Sequence, residues 1–157
     1  MNRIVIWQQN VNKSPACQDN IISSDILTTE GINIIVIQEP HINHLNLTIA
    51  SKDWIAIYPL PHRTMPEKTR VINLIHSTIS TDNWCQLDFP LNDVTVIQIK
   101  GTQGKIMIFN IYIGDKGSEA INKLTWFYST LHNPLKDDAR KDTHTLWLSN
   151  FNRHHPY

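Results

Sequence analysis

A cluster of polar and basic side chains follows an apolar stretch near residue 150. The stretch is Leu146-Trp147-Leu148, and it leads directly into Ser149-Asn150-Phe151-Asn152-Arg153-His154-His155. The apolar run predicts a strand, and Pro156 prevents regular structure from continuing. The polar groups are therefore expected at the C-terminal end of a buried strand, where a rigid scaffold can hold binding or catalytic side chains. Adjacent histidines on a loop rarely bind one metal ion together, so the basic residues of this cluster are expected to face a substrate or the loop that should follow.

Three other predicted strands also end in hydrogen-bonding side chains. The strand from Ile4 ends in Gln8-Gln9-Asn10, the strand from Ile32 ends in Gln38-Glu39, and the strand from Lys105 ends in Asn110-Ile111-Tyr112. The helix predicted between the first two strands favours a parallel pairing with a right-handed crossover. In that arrangement both strands end at the same edge of the sheet, so Asn10 and Glu39 are expected to emerge together.

The remaining pattern predicts an α/β protein with stacked sheets and helices outside them. Pro15 begins a helix that is expected to reach about Thr29, and Gly31 follows it as a C-cap. A second amphipathic helix is expected from Ser118 to Leu131, followed by a charged loop over 132–143. Strands are predicted at 4–10, 32–37, 54–58, 71–75, 84–87, 94–100, 105–111 and 145–148, of which 94–100 and 105–111 form a hairpin.

Composition indicates a globular domain without a membrane segment. Hydrophobic residues make up 41% of the chain and charged residues 18%. No apolar run approaches the roughly 18 to 20 residues that span a bilayer, and the N-terminus lacks a signal-peptide pattern. We therefore expect an intracellular protein, nuclear or cytoplasmic, that is not secreted and has no membrane partner. Cys17 and Cys85 are expected to be reduced thiols in the core.

The charge balance argues against nucleic-acid binding through a global positive field. The 14 basic and 14 acidic side chains give a formal net charge of zero, so a nucleic-acid contact would be local or helped by a fused partner. The best local candidate is the loop 61–70, which carries His62, Arg63, Lys68 and Arg70. A solvated surface loop without phosphate contacts is the simpler alternative.

Four motifs in this order resemble the endonuclease/exonuclease/phosphatase superfamily, and in particular the endonuclease domain of non-LTR (LINE-type) retrotransposons. They are Trp7–Ser14, Gln38-Glu39-Pro40, Asn110-Ile111-Tyr112 and Phe151–Pro156, each at a predicted strand end, and Thr69-Arg70-Val71 also resembles that group. The resemblance covers essentially the whole chain. It implies a two-sheet, DNase I-like α/β sandwich, of which residues 1–157 would be the N-terminal part of a single domain, incomplete at the C-terminus.

The resemblance implies hydrolysis of phosphodiesters with Mg²⁺ or Mn²⁺, with DNA as the substrate and fusion to a reverse transcriptase in a full-length element. Because Mg²⁺ prefers oxygen ligands and keeps several waters, one or two carboxylates can hold it. Glu39 is thereby implied as the principal metal carboxylate, with Asn10 as a ligand or an orienting amide. Asn152 and Tyr112 would hydrogen-bond the phosphate oxygens on which charge develops.

Substrate contacts are implied for Arg70, Arg153 and His154. At each implied site residue a structural role is the alternative: Glu39 as a loop cap before Pro40, Tyr112 as a strand-end aromatic and Asn152 as a turn residue.

The chain departs from the family pattern where Ser149-Asn150-Phe151-Asn152 replaces the expected Gly-Asp-Phe-Asn. The aspartate of that motif positions or deprotonates the attacking water, but the Asn150 amide cannot accept a proton at neutral pH. Loss of general-base help typically costs on the order of 10²- to 10⁴-fold in rate. The Asp-His pair that closes the family motif set has no counterpart in this sequence. These departures predict an impaired or inactive endonuclease.

Two other functions remain open from the sequence. One is a non-catalytic module that binds nucleic acid or protein and keeps the scaffold without the chemistry. The other is a phosphomonoesterase of the same superfamily that acts on a small phosphorylated substrate. Salt-dependent DNA binding that survives the loss of Glu39 would favour the first, and competition between substrates would identify the second.

Overall fold

The strands that the sequence predicts are present in the computed structural model, which describes residues 3–49, 51–102, 104–114, 121–122, 125–126, 129 and 143–150. Of Ile26 and Asn150 only the backbone is described. The strands are β1 (Ile6–Asn10), β2 (Ile34–Gln38), β3 (Trp54–Ile57), β4 (Val71–His76), β5 (Trp84–Leu87), β6 (Val94–Gly101), β7 (Gly104–Tyr112) and β8 (Thr143–Asn150). The helices are α1 (Pro15–Ile22) and α2 (Asp25–Thr29), with short 3₁₀ turns at Leu60–Arg63, Pro66–Lys68 and Thr81–Asn83.

These strands form two mixed four-stranded sheets. The first has the order β1-β2-β4-β3 and the second the order β5-β6-β7-β8. β1 and β2 are parallel, with Asn10 opposite Gln38, as the sequence predicts. β7 and β8 are also parallel, with Tyr112 opposite Asn150. The C-terminal ends of two strands therefore coincide in each sheet.

The side chains of β2 show how the layers are built. All five residues of this strand are buried, and successive side chains point to opposite faces. Ile34 and Val36 pack between the two sheets with Ile97 and Ile108. On the other face, Ile35 and Ile37 belong to the apolar cluster beneath the helices, which includes Ile21 and Leu27. The predicted two-sheet α/β sandwich with helices outside is confirmed.

The predicted single helix over 15–29 is wrong, because the chain forms two helices. Pro15 does begin α1, and the Ser14 side chain caps it by accepting the N–H of Cys17 at 3.2 Å. At the other end, both the N–H and the hydroxyl of Ser23 donate to the Asp19 carbonyl, at 2.9 Å and 2.6 Å. This local bonding ends the helix before α2 begins.

The prediction that the cysteines lie in the core is wrong for Cys17, which is exposed, while Cys85 is half-buried. α1 instead buries Gln18 and Ile21. The Gln18 amide nitrogen donates to the Thr48 hydroxyl, and its oxygen accepts the N–H of His41 at 2.9 Å. These bonds satisfy a buried polar side chain and so decide which side of the helix faces inward.

The predicted helix from Ser118 to Leu131 lies mostly outside the described residues. Its described members, at 121–122, 125–126 and 129, are helical. The predicted charged loop over 132–143 also lies outside them, except for Thr143, which begins β8. In the part of the chain that the structure describes, no helix is long and apolar enough to cross a bilayer.

Candidate active site

The ends of β1, β2 and β7 meet at one edge of the sandwich around the carboxylate of Glu39. Asn10 donates from Nδ2 to Glu39 Oε2 at 3.0 Å, and the Tyr112 hydroxyl donates to Oε1 at 3.1 Å. The Glu39 side chain is only 16% exposed. Each carboxylate oxygen thus has one fixed protein donor, and the remaining lone pairs are available for a further ligand.

Arg70, the residue before β4, brings a positive charge to the same carboxylate. One of its terminal guanidinium nitrogens lies 3.7 Å from Glu39 Oε1. The guanidinium carbon lies 5.7 Å from the centroid of the Tyr112 ring, within the range of a cation–π contact. Since the Arg70 side chain is 37% exposed, the guanidinium also has access to solvent, where its other N–H groups can donate to an anion.

The backbone of Glu39 is held in a left-handed conformation with φ of 48°. For a residue with a side chain this conformation costs on the order of 1 to 3 kcal/mol. Two short hydrogen bonds hold it: the N–H of Glu39 donates to the Arg70 carbonyl, and the N–H of Lys13 donates to the Glu39 carbonyl, both at 2.7 Å. The segments of Lys13 and Arg70 thus hold the strained backbone of Glu39 in place, and backbone strain of this kind is typical of functional positions.

The orientation of the Asn10 amide follows from a second hydrogen bond. Asn10 Oδ1 accepts the backbone N–H of Asn12 at 2.8 Å. Because a backbone N–H can only donate, the amide oxygen must face Asn12 and the amide nitrogen must face Glu39. In this conformation Asn10 orients the carboxylate, and it would have to turn its amide to serve as a metal ligand. The geometry favours the orienting role.

The backbone of β8 places residue 150 beside this cluster. Asn150 lies opposite Tyr112 in the β7–β8 pair, and Gln8 of β1 donates from Nε2 to the Ser149 carbonyl at 3.3 Å. The backbone of residue 150 therefore lies at the same edge as Glu39. Asn152, Arg153 and His154 lie outside the described residues.

His62 of the predicted basic loop is a buried structural residue and is not available to a phosphate. It is 8% exposed and stacks on Tyr58 with ring centroids 4.1 Å apart. Its Nε2 lies 2.8 Å from the Asn46 carbonyl, which can only accept, so Nε2 carries the proton. Its Nδ1 lies 2.6 Å from the Thr69 hydroxyl. This contact anchors the residue before Arg70, a role that the loop composition did not reveal.

Tyr58 gives this part of the structure a pH dependence. Burial raises the pKa of its hydroxyl, and the Thr48 N–H that donates to it at 2.8 Å opposes the rise. Because the folded state holds this proton more tightly than the unfolded state, the stabilisation is complete below pH of about 10 and is lost as pH rises through the raised pKa. We expect Tyr58→Phe to show a smaller loss of unfolding free energy between pH 9 and pH 11 than the wild type. Urea unfolding at each pH measures the free energy of unfolding. Equal losses of this free energy in Tyr58→Phe and the wild type would contradict the prediction.

The donor set at Glu39 fits a cation that prefers oxygen. Among the described residues no group of three or more His, Cys, Asp or Glu side chains is arranged to hold a metal, which excludes a clustered carboxylate or zinc-type site in that part of the chain. Mg²⁺ differs because one carboxylate can bind it while waters complete its coordination. Glu39, with both oxygens positioned by Asn10 and Tyr112, matches this requirement.

Two stacked mixed sheets with a glutamate-centred cluster at their strand ends define a DNase I-like α/β sandwich. The endonuclease domain of TRAS1, a telomere-specific non-LTR retrotransposon, is similar with a TM-score of 0.65 and 14% identity, covering 98% of this chain and 61% of that one. AP endonuclease LMAP from Leishmania major is similar with a TM-score of 0.57 and 11% identity, covering 92% of this chain and 54% of that one. A D. rerio TDP2 humanized by 14 mutations is similar with a TM-score of 0.53 and 9% identity, covering 97% of this chain and 63% of that one.

At these identities the likeness establishes the fold alone, and it confirms the DNase I-like fold that the sequence motifs indicated. The chain spans less than two thirds of the length of each of these structures. No sequence-family model and no curated protein sequence matches it.

Proposed function

We propose that this chain carries the site of a divalent-metal-dependent phosphodiesterase of the retrotransposon endonuclease type, acting on DNA, with its cleavage activity severely impaired. The observation that carries the proposal is the Glu39 carboxylate, held by Asn10 and Tyr112 at 3.0 Å and 3.1 Å and approached by Arg70. The likeness to a retrotransposon endonuclease domain and to an AP endonuclease supports it.

Glu39 would hold Mg²⁺ or Mn²⁺, which when bound polarises a scissile phosphate and neutralises charge on the leaving oxygen. Asn10 keeps the carboxylate oriented through its amide nitrogen. The Tyr112 hydroxyl, at the edge of the same cluster, can donate its one hydrogen bond to a phosphate oxygen in place of Glu39. Arg70 supplies a positive charge that can exchange its exposed contact with Glu39 for a contact with the DNA backbone.

The loop beyond β8 completes the proposed set. Asn152 would hydrogen-bond a phosphate oxygen, and Arg153 and His154 would contact the substrate. Asn150, opposite Tyr112 in the strand pairing, occupies the position where the family uses an aspartate on the attacking water. Its amide can orient that water but cannot accept its proton. Binding of metal and DNA is therefore retained in this proposal, while the hydrolytic step is slowed.

Removal of the metal is the first test. We expect the chain to nick supercoiled DNA slowly in Mg²⁺ or Mn²⁺, and we expect EDTA to abolish this nicking because the proposed metal neutralises the charge that develops on the leaving oxygen. Conversion of supercoiled to open-circular DNA on agarose measures the rate. Robust multiple turnover would overturn the proposed impairment. DNA binding that is insensitive to metal, with no nicking under any condition, would favour the non-catalytic binding module instead.

A further inference from the structure

Asn110 of β7 connects the two sheets directly beneath the candidate active site. The residue is fully buried. Its Nδ2 lies 2.9 Å from the Ile72 carbonyl, 2.9 Å from Asn73 Oδ1 and 3.2 Å from the Ile37 carbonyl. Its Oδ1 accepts Nε2 of Gln38 at 2.9 Å. One side chain of the second sheet is thus bonded to both central strands of the first.

Asn110 and two of the residues that it contacts each lie two positions along the chain from a site residue. Ile37 and Ile72 are opposite each other in the β2–β4 pair. Glu39 lies two residues after Ile37, and Arg70 lies two residues before Ile72. Because β2 and β4 are antiparallel, Glu39 and Arg70 lie on the same side of the Ile37–Ile72 pair. Tyr112 likewise lies two residues beyond Asn110. Three site side chains are therefore each two residues, about 6 to 7 Å of strand, from one shared hydrogen-bonded point.

The network is poorly suited to stabilising the core alone. The layer between the sheets is mainly apolar, with Ile97 and Ile108 among its buried members. Burying amides is costly unless every group is paired, and Gln38 Oε1 and Asn73 Nδ2 have no hydrogen-bond partner among the described residues. Apolar side chains at positions 38, 73 and 110 together would avoid this cost, so packing alone does not account for these three amides.

We propose that Asn110 is a positioning residue for the candidate active site. Its carboxamide holds the ends of β2, β4 and β7 together, and this sets the distances by which Tyr112 and Arg70 reach the carboxylate of Glu39. Because the contacts at Glu39 span two sheets, a small slip between the sheets would separate its donors. Displacements of about 1 Å in such sites can cost roughly 10²-fold in activity. The inference rests on the proposed function in that it takes Glu39 as the metal-binding carboxylate.

The discriminating variant is Asn110→Leu, which is close to asparagine in size but cannot make the hydrogen bonds. We expect its affinity for Mn²⁺ to fall by about 10-fold or more in protein that is still folded, as for loss of an outer partner of a metal ligand. Its melting temperature is also expected to fall, because the buried amides of Gln38 and Asn73 each lose a hydrogen bond. Electron paramagnetic resonance of free Mn²⁺ measures the affinity. Thr95→Val is the matched control, because Thr95 is buried opposite Asn110 and its hydroxyl has no hydrogen-bond partner among the described residues.

Wild-type Mn²⁺ affinity retained in a folded Asn110→Leu would overturn the positioning role. If Asn110→Leu does not fold, Asn110→Thr is measured in its place. Failure of the proposed function itself is distinguished by Glu39→Gln: if that variant binds Mn²⁺ as the wild type does, Glu39 is not the metal carboxylate. The positioning role is then tested by the ¹³C chemical shift of the Glu39 carboxyl without metal, which should change in Asn110→Leu and not in Thr95→Val. An unchanged shift in both variants would overturn it.

Discussion

Replacing Asn150 with aspartate is expected to raise the rate of Mg²⁺-dependent DNA nicking by about 10²- to 10⁴-fold. An aspartate carboxylate can take the proton of the attacking water at neutral pH, whereas the asparagine amide cannot. The backbone of residue 150 lies opposite Tyr112, so the new carboxylate would enter at the edge where Glu39 already stands. First-order rates of supercoiled DNA nicking, compared at equal protein and Mg²⁺, measure the gain.

Two controls separate the general-base role from a change in charge. Asn83→Asp makes the same substitution on the exposed 3₁₀ turn before β5 and is expected to leave the nicking rate unchanged. The double variant Asn150→Asp with Glu39→Gln is expected to lose the gain, because the proton acceptor would act on a site without its metal carboxylate. An Asn150→Asp protein that stays as slow as the wild type would show that Asn150 is not what limits hydrolysis.

Glu39→Gln is expected to weaken Mn²⁺ binding by about 10²-fold or more. Removing even an outer partner of a metal ligand lowers metal affinity by roughly 10- to 100-fold. In Glu39→Gln the proposed ligand itself loses its charge, so the loss of affinity is expected to be larger. The glutamine oxygen can still accept one of the two hydrogen bonds that Asn10 and Tyr112 make at 3.0 Å and 3.1 Å. The fold should therefore survive, and titration of free Mn²⁺ reports the loss of affinity.

Glu30→Gln is the matched control for this prediction. Glu30 is exposed and precedes β2, whereas Glu39 follows it, so the two substitutions remove the same charge from opposite ends of one strand. Glu30→Gln is expected to bind Mn²⁺ as the wild type does. Equal affinity in Glu39→Gln and the wild type would remove the basis of the proposed function, because the metal would then be bound elsewhere or not at all.

The sequence predicted the strands well because each is a short apolar run bounded by turn or polar residues. It also predicted the parallel pairing of β1 and β2, since a helix lies between two such runs and the crossover has one handedness. The motifs that indicated a DNase I-like fold are local strings at strand ends. Such strings can be identified without knowing which strands become neighbours.

Predictions that depended on which side of an element faces inward were less successful. Cys17 was expected in the core, but the structure buries Gln18 instead, because the Gln18 amide hydrogen-bonds Thr48 and His41. The basic composition of the loop 61–70 did not distinguish His62, which is buried against Tyr58, from Arg70, which reaches Glu39. Composition gives the charge of a loop, but the contacts of each side chain depend on partners that are distant in sequence.

The sequence by itself determined that polar groups follow buried strands and that a carboxylate, Glu39, stands at one of these ends. Only the tertiary structure decided that Asn10 and Tyr112, 29 and 73 residues away, donate to the two oxygens of this carboxylate. The same holds for Asn110, whose bonds to β2 and β4 cross from one sheet to the other. Strand formation follows from local hydrophobic pattern, whereas these contacts require the register within each sheet and the stacking of one sheet on the other, which no local pattern encodes.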